Sequence, residues 1–214
     1  MMSLCFSGCS ITWGDELQNR LTERFSHVIS KHYGCRCVNL GERGSSNDAI
    51  VRRTISYLQN NKADVVVMQF TVVQRIEYFT QKAEVEGWTP QKLDNQSKRN
   101  YYKLMYNDIL GCENLWKNIF LFDSYCKSVG QKYVSIIADH YEQTLGKPRR
   151  YYKNEKGYWR SLCQDYEPLL MHRQLLGELD VSPDHYSMRE KGGHPTAKAH
   201  KLIANKIIEL IDAI

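Results

Sequence analysis

Two kinds of apolar pattern alternate along the first half of the chain. Short apolar-rich runs at Leu4 to Gly8, Cys35 to Leu40 and Ala63 to Phe70 read as strands. The last of them (ADVVVMQF) has the β-branched composition of a strand covered on both faces. Between these runs, apolar residues return every three or four positions. Leu17, Leu21, Phe25 and Val28 predict a helix from Asp15 to His32, capped at its end by Gly34. Ile50, Ile55 and Leu58 predict a second helix with Asn47 as its cap. Further on, a long helix is expected from Lys98 to Ser128 with a break near Gly111, then a fourth strand at Lys132 to Ala138. The last helix, Thr196 to Ile214, has Thr196 as cap and Ala199, Leu202, Ile203, Ile207, Leu210 and Ile211 as its buried stripe. Residues 80 to 97 are polar and read as a loop. Residues 141 to 188 show no clear period and read as an insertion with room for a fifth strand.

A β-α-β-α-β order implies right-handed crossovers and a parallel sheet. The expected fold class is therefore α/β, three layers (α/β/α) around a central parallel sheet, in one domain spanning 1–214. At 214 residues the chain is long enough to bury a core without staples. The net charge of +5 is mild and gives no ground for a nucleic-acid partner. The seven cysteines are odd in number and lack zinc-knuckle spacing; Cys35 and Cys37 form only a CxC pair. They read as reduced thiols of a cytoplasmic protein. The N-terminus lacks the pattern of a signal peptide, and no run of about 18 apolar residues predicts a membrane helix.

Two segments carry candidate chemistry. Gly8-Cys9-Ser10-Ile11-Thr12-Trp13-Gly14 joins the first strand to the first helix, at the strand's carboxyl end, where open α/β sheets bind ligands. Ser10 there is either a helix cap or a nucleophile beside a helix N-terminus, whose N–H groups favour developing negative charge. Gly192-Gly193-His194-Pro195-Thr196 sets a histidine in a glycine loop before the last helix. A serine needs a base within hydrogen-bond reach, and His194 is the candidate.

With these blocks the sequence resembles the SGNH, or GDSL-like, hydrolase superfamily over nearly its whole length. Gly8-Cys9-Ser10 matches the nucleophile block. Asn39 to Asn47 (NLGERGSSN) resembles the block that supplies an oxyanion-hole glycine, with Gly44 the better match. His194-Pro195 matches the last block. The resemblance implies the flavodoxin-like, three-layer fold and hydrolysis or transfer of acyl groups, commonly on carbohydrate or lipid esters. It implies Ser10 as nucleophile, His194 as base, and the N–H groups of Ser10 and Gly44 as oxyanion donors. Two positions depart from the pattern. The family's asparagine after the third strand is missing from Met68 to Arg75, where Thr71 is preferred over Gln69 as third donor. The acid expected just before the histidine is replaced by Lys191 and Gly192. A backbone carbonyl is the first choice for its role, Glu190 the best local acid and Asp139 the best distant one.

The stretch from Lys147 to Arg160 is basic and aromatic together, and Arg150, Tyr152 and Trp159 there are candidates for contact with a sugar. His140, His185 and His200 show no spacing for a metal site, so no metal and no cofactor is assigned. The reading is a cofactor-free serine esterase acting on a small-molecule or glycan ester, with no membrane partner. The alternatives are a glycan O-acetyltransferase, or a non-catalytic carbohydrate- or nucleic-acid-binding module on a degenerate hydrolase fold. The sequence leaves the oligomeric state open.

Overall fold

A computed structural model describes residues 2–80, 85–90, 92–137 and 194–214. Its main sheet has four parallel strands: β1 (Ser3–Ser7), β2 (Arg36–Asn39), β3 (Val65–Phe70) and β6 (Lys132–Ile137), in the order β2-β1-β3-β6. β1 and β3 are adjacent inner strands, with Leu4 opposite Val65 and Ser7 opposite Met68. Every residue of β3 is buried, which explains its apolar run, broken only by Gln69: a central parallel strand has no wet face.

Helices cover both faces. Beneath one lie α4 (Asn47–Asn60) and α6 (Asp108–Val129), packing Ile50, Val51, Leu115, Ile119 and Phe122 against Cys5, Val66, Met68 and Phe70. Beneath the other lie α3 (Phe25–His32) and the final helix α7 (Ala197–Asp212), packing Phe25, Ile29, Ile203 and Ile207 against Leu4, Phe6, Val65, Val134 and Ile136. Each such fully buried side chain contributes roughly 1.5–3 kcal/mol, so the two cores hold the sheet edge rigidly. The α7 cap is the expected one: Thr196 Oγ1 accepts from the Ala199 N–H at 3.3 Å.

The structure corrects the sequence reading in four places. The helix expected over Asp15 to His32 is broken into α2 (Arg20–Glu23) and α3, with Arg24 extended between them. The cause is Phe25, which is fully buried and gives its N–H to His200 Nδ1 at 3.2 Å. A continuous helix would have spent that N–H on its own carbonyl ladder. Next, α4 is capped by Ser46, whose Oγ accepts from the Ala49 N–H at 3.2 Å, and not by Asn47, which is free for another task. The helix expected from Lys98 starts earlier, as α5 (Gln96–Asn100) and a π-helical turn (Tyr101–Met105). It breaks at Tyr106 and Asn107 rather than at Gly111, because Asn107 Oδ1 caps α6 through the Leu110 N–H at 2.9 Å. Finally, an antiparallel pair, β4 (Ile76–Phe79) and β5 (Val85–Trp88), stands partly where a loop was expected. No described helix is long and apolar enough to cross a membrane.

Candidate active site

Ser10 opens α1 (Ser10–Trp13), a single helical turn directly after β1. A single turn carries no full helix dipole, so none acts on Ser10. Gly14, at φ 86°, ends it, giving its N–H to the carbonyls of Ser10 and Ile11. Gly8 allows the close approach beneath: a Cβ there would overlap the Thr12 hydroxyl and come within 2.8 Å of the Gln69 side chain. Gln69 Oε1 accepts from the Thr12 N–H at 3.0 Å and from the Thr12 hydroxyl, which fixes the amide so that Nε2 points to Cys9 Sγ at 3.1 Å.

Cys9 is buried under the nucleophile turn. The Ser10 hydroxyl is turned toward its sulfur, at 3.9 Å. Burial pushes the Cys9 thiol up, but the positive charge of Arg75 and hydrogen bonds from Thr71, the Ile11 N–H and Gln69 outweigh it and hold the thiol below its ordinary range. Thr71 Oγ1 in turn accepts from Arg75 Nη1 at 3.0 Å. The hydroxyl of Thr71 and the amide of Gln69 are thus both engaged beneath the turn. The backbone of Thr71 is clamped by Asn47, whose Oδ1 accepts from the Thr71 N–H at 2.8 Å and whose Nδ2 donates to the Thr71 carbonyl at 3.1 Å.

The loop carrying Gly44 follows β2 and lies against the same turn. The Glu42 N–H donates to the Gly8 carbonyl at 3.2 Å, and a Cβ on Gly41 would meet the Trp13 nitrogen at 2.7 Å. Gly44 has φ 73°, and among the described residues its N–H is given to no acceptor.

His194 reaches this edge from the N-terminal side of α7. Its ring meets two carboxylates that the sequence reading did not single out. Glu16 Oε2 stands 2.8 Å from Nδ1 and also accepts from the His194 backbone N–H at 3.1 Å. Asp15 Oδ2 stands 3.9 Å from Nε2, and Asp15 also pairs with Arg43, next to Gly44. Glu16 has φ 64°, a left-handed conformation that is uncommon outside glycine and clusters at functional sites. Among the described residues no hydrogen bond joins Ser10 to His194, although the Asp15 N–H donates to the Ser10 carbonyl at 2.9 Å and ties the two acids to the serine turn. Asp139, Glu190, Arg150, Tyr152 and Trp159 lie outside the described residues. Among the described residues no His, Cys, Asp and Glu cluster could hold a metal. His200 is fully buried and stacked on Phe25 at 5.7 Å between ring centres.

A parallel three-layer sheet with serine, histidine and acids at the carboxyl ends of its strands places the chain among α/β proteins built around an edge site. Solved structures narrow this to one fold. The chain aligns over 100% of its length with 100% of a lipolytic protein of the G-D-S-L family from Veillonella parvula, at 13% identity and a TM-score of 0.56. It aligns over 100% of its length with 98% of the esterase EstA from Pseudoalteromonas, at 12% identity and a TM-score of 0.58. A lipase/acylhydrolase from Enterococcus faecalis matches over 100% of this chain and 96% of its own, at 15% identity and a TM-score of 0.55. The fold is that of the SGNH/GDSL-like hydrolases. No protein-family model matches the sequence, and no curated protein does.

Proposed function

We propose that the protein is a cofactor-free serine esterase whose triad is Ser10, His194 and Glu16. The observation that carries this is the Glu16 carboxylate on His194 Nδ1, delivered by the loop that leaves the Ser10 turn. During attack His194 must accept the serine proton on Nε2 and carry a positive charge. An acceptor on Nδ1 fixes the tautomer and the ring plane and stabilises that charge. Glu16 fills the role of the third triad member. The step begins when the Ser10 hydroxyl turns from Cys9 Sγ to Nε2, as apo sites commonly require. Oγ then bonds to the ester carbonyl carbon while its proton passes to Nε2. The N–H groups of Ser10 and Gly44 receive the oxyanion. Collapse expels the alcohol, protonated by His194, and water repeats the sequence on the acyl-serine.

For the substrate we propose an ester of a carbohydrate, on the basic and aromatic composition of residues 147–160. For the compartment we propose the cytoplasm, on the free cysteines Cys5, Cys9, Cys35, Cys37 and Cys126. The test combines a fluorophosphonate probe with kinetics on aryl acetates and acetylated oligosaccharides. Wild type should be labelled and Ser10→Ala should not. Glu16→Gln should lower kcat on the order of 10²–10⁴-fold, close to the loss in His194→Ala. Full activity in Glu16→Gln would leave a Ser–His dyad, and labelling of Ser10→Ala would remove the serine mechanism.

A further inference from the structure

The two backbone donors assigned to the oxyanion belong to different loops. Ser10 lies on the turn after β1, and Gly44 on the loop between β2 and α4. An oxyanion hole works only if its donors are held about 2.7–3.1 Å from the point where charge develops, so something must fix the distance between the loops. Arg53, on the second turn of α4, lies where they meet. Its Nη2 donates to the Gly8 carbonyl at 3.3 Å and to the Ser45 hydroxyl at 3.2 Å, and its Nη1 donates to Glu42 Oε2 at 2.7 Å. Gly8 lies two residues before Ser10, while Glu42 and Ser45 flank Gly44. The Arg53 side chain is 19% exposed, against 62% for Glu42, so its contacts to Gly8 and Ser45 are the sheltered ones. Its Nε is buried with no hydrogen-bond partner among the described residues. Leaving a buried donor unpaired is costly. The arrangement therefore favours the reach of the terminal nitrogens over full satisfaction of the side chain.

We propose that Arg53 is a positioning residue for the esterase reaction: by bridging the Gly8 carbonyl and the Ser45 hydroxyl it sets the separation of the Ser10 and Gly44 N–H groups. The proposal rests on the serine-esterase reading. It assigns the guanidinium no contact with the substrate. A lysine keeps the charge but is a shorter point donor, which does not hold three acceptors in the planar fork. The geometry of the hole then relaxes while substrate binding is left alone.

The test uses Arg53→Lys and Ser45→Ala, with kcat expressed per active site titrated by the fluorophosphonate. Arg53→Lys should label to completion but more slowly, with kcat on an aryl acetate down by about 10–100-fold and KM within about twofold, the pattern of an interaction made only in the transition state. Ser45→Ala should lose a smaller factor, and adding it to Arg53→Lys should cost little more, because both remove one bridge. A merely structural role would lower the titratable fraction or the melting temperature and leave kcat per site unchanged, and that result overturns the proposal. So does wild-type kcat in Arg53→Lys, which would show that charge alone suffices. If Arg53→Lys does not fold, Ser45→Ala decides, and wild-type kcat there overturns the bridge. A wild type that the probe never labels overturns the esterase reading itself, and the bridge with it.

Discussion

Gly8 and Glu16 show how closely single residues are constrained at this edge. Gly8→Ala would force a methyl group into the Thr12 hydroxyl and the fixed Gln69 amide, neither of which can withdraw without breaking the bonds beneath the turn. A loss of about 1–3 kcal/mol is expected from such overpacking, with esterase activity falling further because Ser10 shifts with the turn. Denaturant unfolding beside kinetics checks it; wild-type stability and rate in Gly8→Ala would refute it. Glu16 presents the opposite case. Its left-handed backbone costs roughly 1–2 kcal/mol in a non-glycine residue, so Glu16→Gly should melt no lower than wild type while losing activity. A glycine variant that melts well below wild type would mean that the contact to His194 outweighs the strain. Ser10 and His194 could be singled out in the sequence because glycines and element ends mark them. Glu16 could not. Its partner lies 178 positions away, and only the fold brings the two together. The one local signal was an acid pair, Asp15 and Glu16, directly after the glycine that closes the nucleophile turn.

Among the elements, α4 links the site to the rest of the molecule. Its Asp48 accepts from Asn114 Nδ2 at 2.7 Å, Asn118 Nδ2 at 3.1 Å and Lys117 Nζ at 3.0 Å, all on α6. Burial pushes the Asp48 carboxyl up, but these donors outweigh it and hold the group below the usual carboxylate range. A carboxyl with a lowered folded pKa contributes stability that is fully present above its ordinary pKa and is lost as pH falls through the lowered one. Asp48→Ala should therefore cost about 1–3 kcal/mol at neutral pH, and less in acid, where the wild type has already lost the interaction. Unfolding in urea at both pH values measures this; a loss independent of pH would point to packing alone. Asn47, the next residue back, carries the clamp on Thr71, so on the proposed esterase reading the same variant should also lower kcat. The apolar period of α4 was legible in the sequence. The polar clamps at its first turn were not, since Ser46, Asn47 and Asp48 all suit a cap, and only the structure separates cap, clamp and bridge. The break before α6 was misplaced for a similar reason. A glycine signals a break, yet Gly111 lies within the helix, where a Cβ would meet the Val73 carbonyl at 2.8 Å, so it serves a close approach.

At the scale of the molecule, His200 fastens the end of the chain to its beginning. Its Nδ1 accepts from the Phe25 N–H across 175 positions, its ring stacks on Phe25, and it is fully buried in the core that joins α7, α3 and the sheet. Nδ1 must be unprotonated to accept, so the proton of the neutral ring sits on Nε2. Burial first, and then the charge of His194, push the group down to about 4 from its ordinary 6.5. Between those values the unfolded chain binds a proton that the folded one refuses, so stability rises with pH across this window. The wild type should be fully stable above about pH 6.5 and lose on the order of 3 kcal/mol by pH 4, since each tenfold change in proton affinity is worth about 1.4 kcal/mol. In His200→Asn the side-chain oxygen can still accept from Phe25, but nothing there titrates. The variant should be less stable at pH 7 through lost stacking, and should lose less than the wild type on acidification to pH 4. The measurement is a melting curve at each pH for both proteins, compared as a difference so that other groups cancel. Parallel pH profiles would show that His200 is not the group that opens the molecule in acid. Converging profiles would place the acid-sensitive joint between the two ends of the chain, on the face of the sheet opposite α4 and α6.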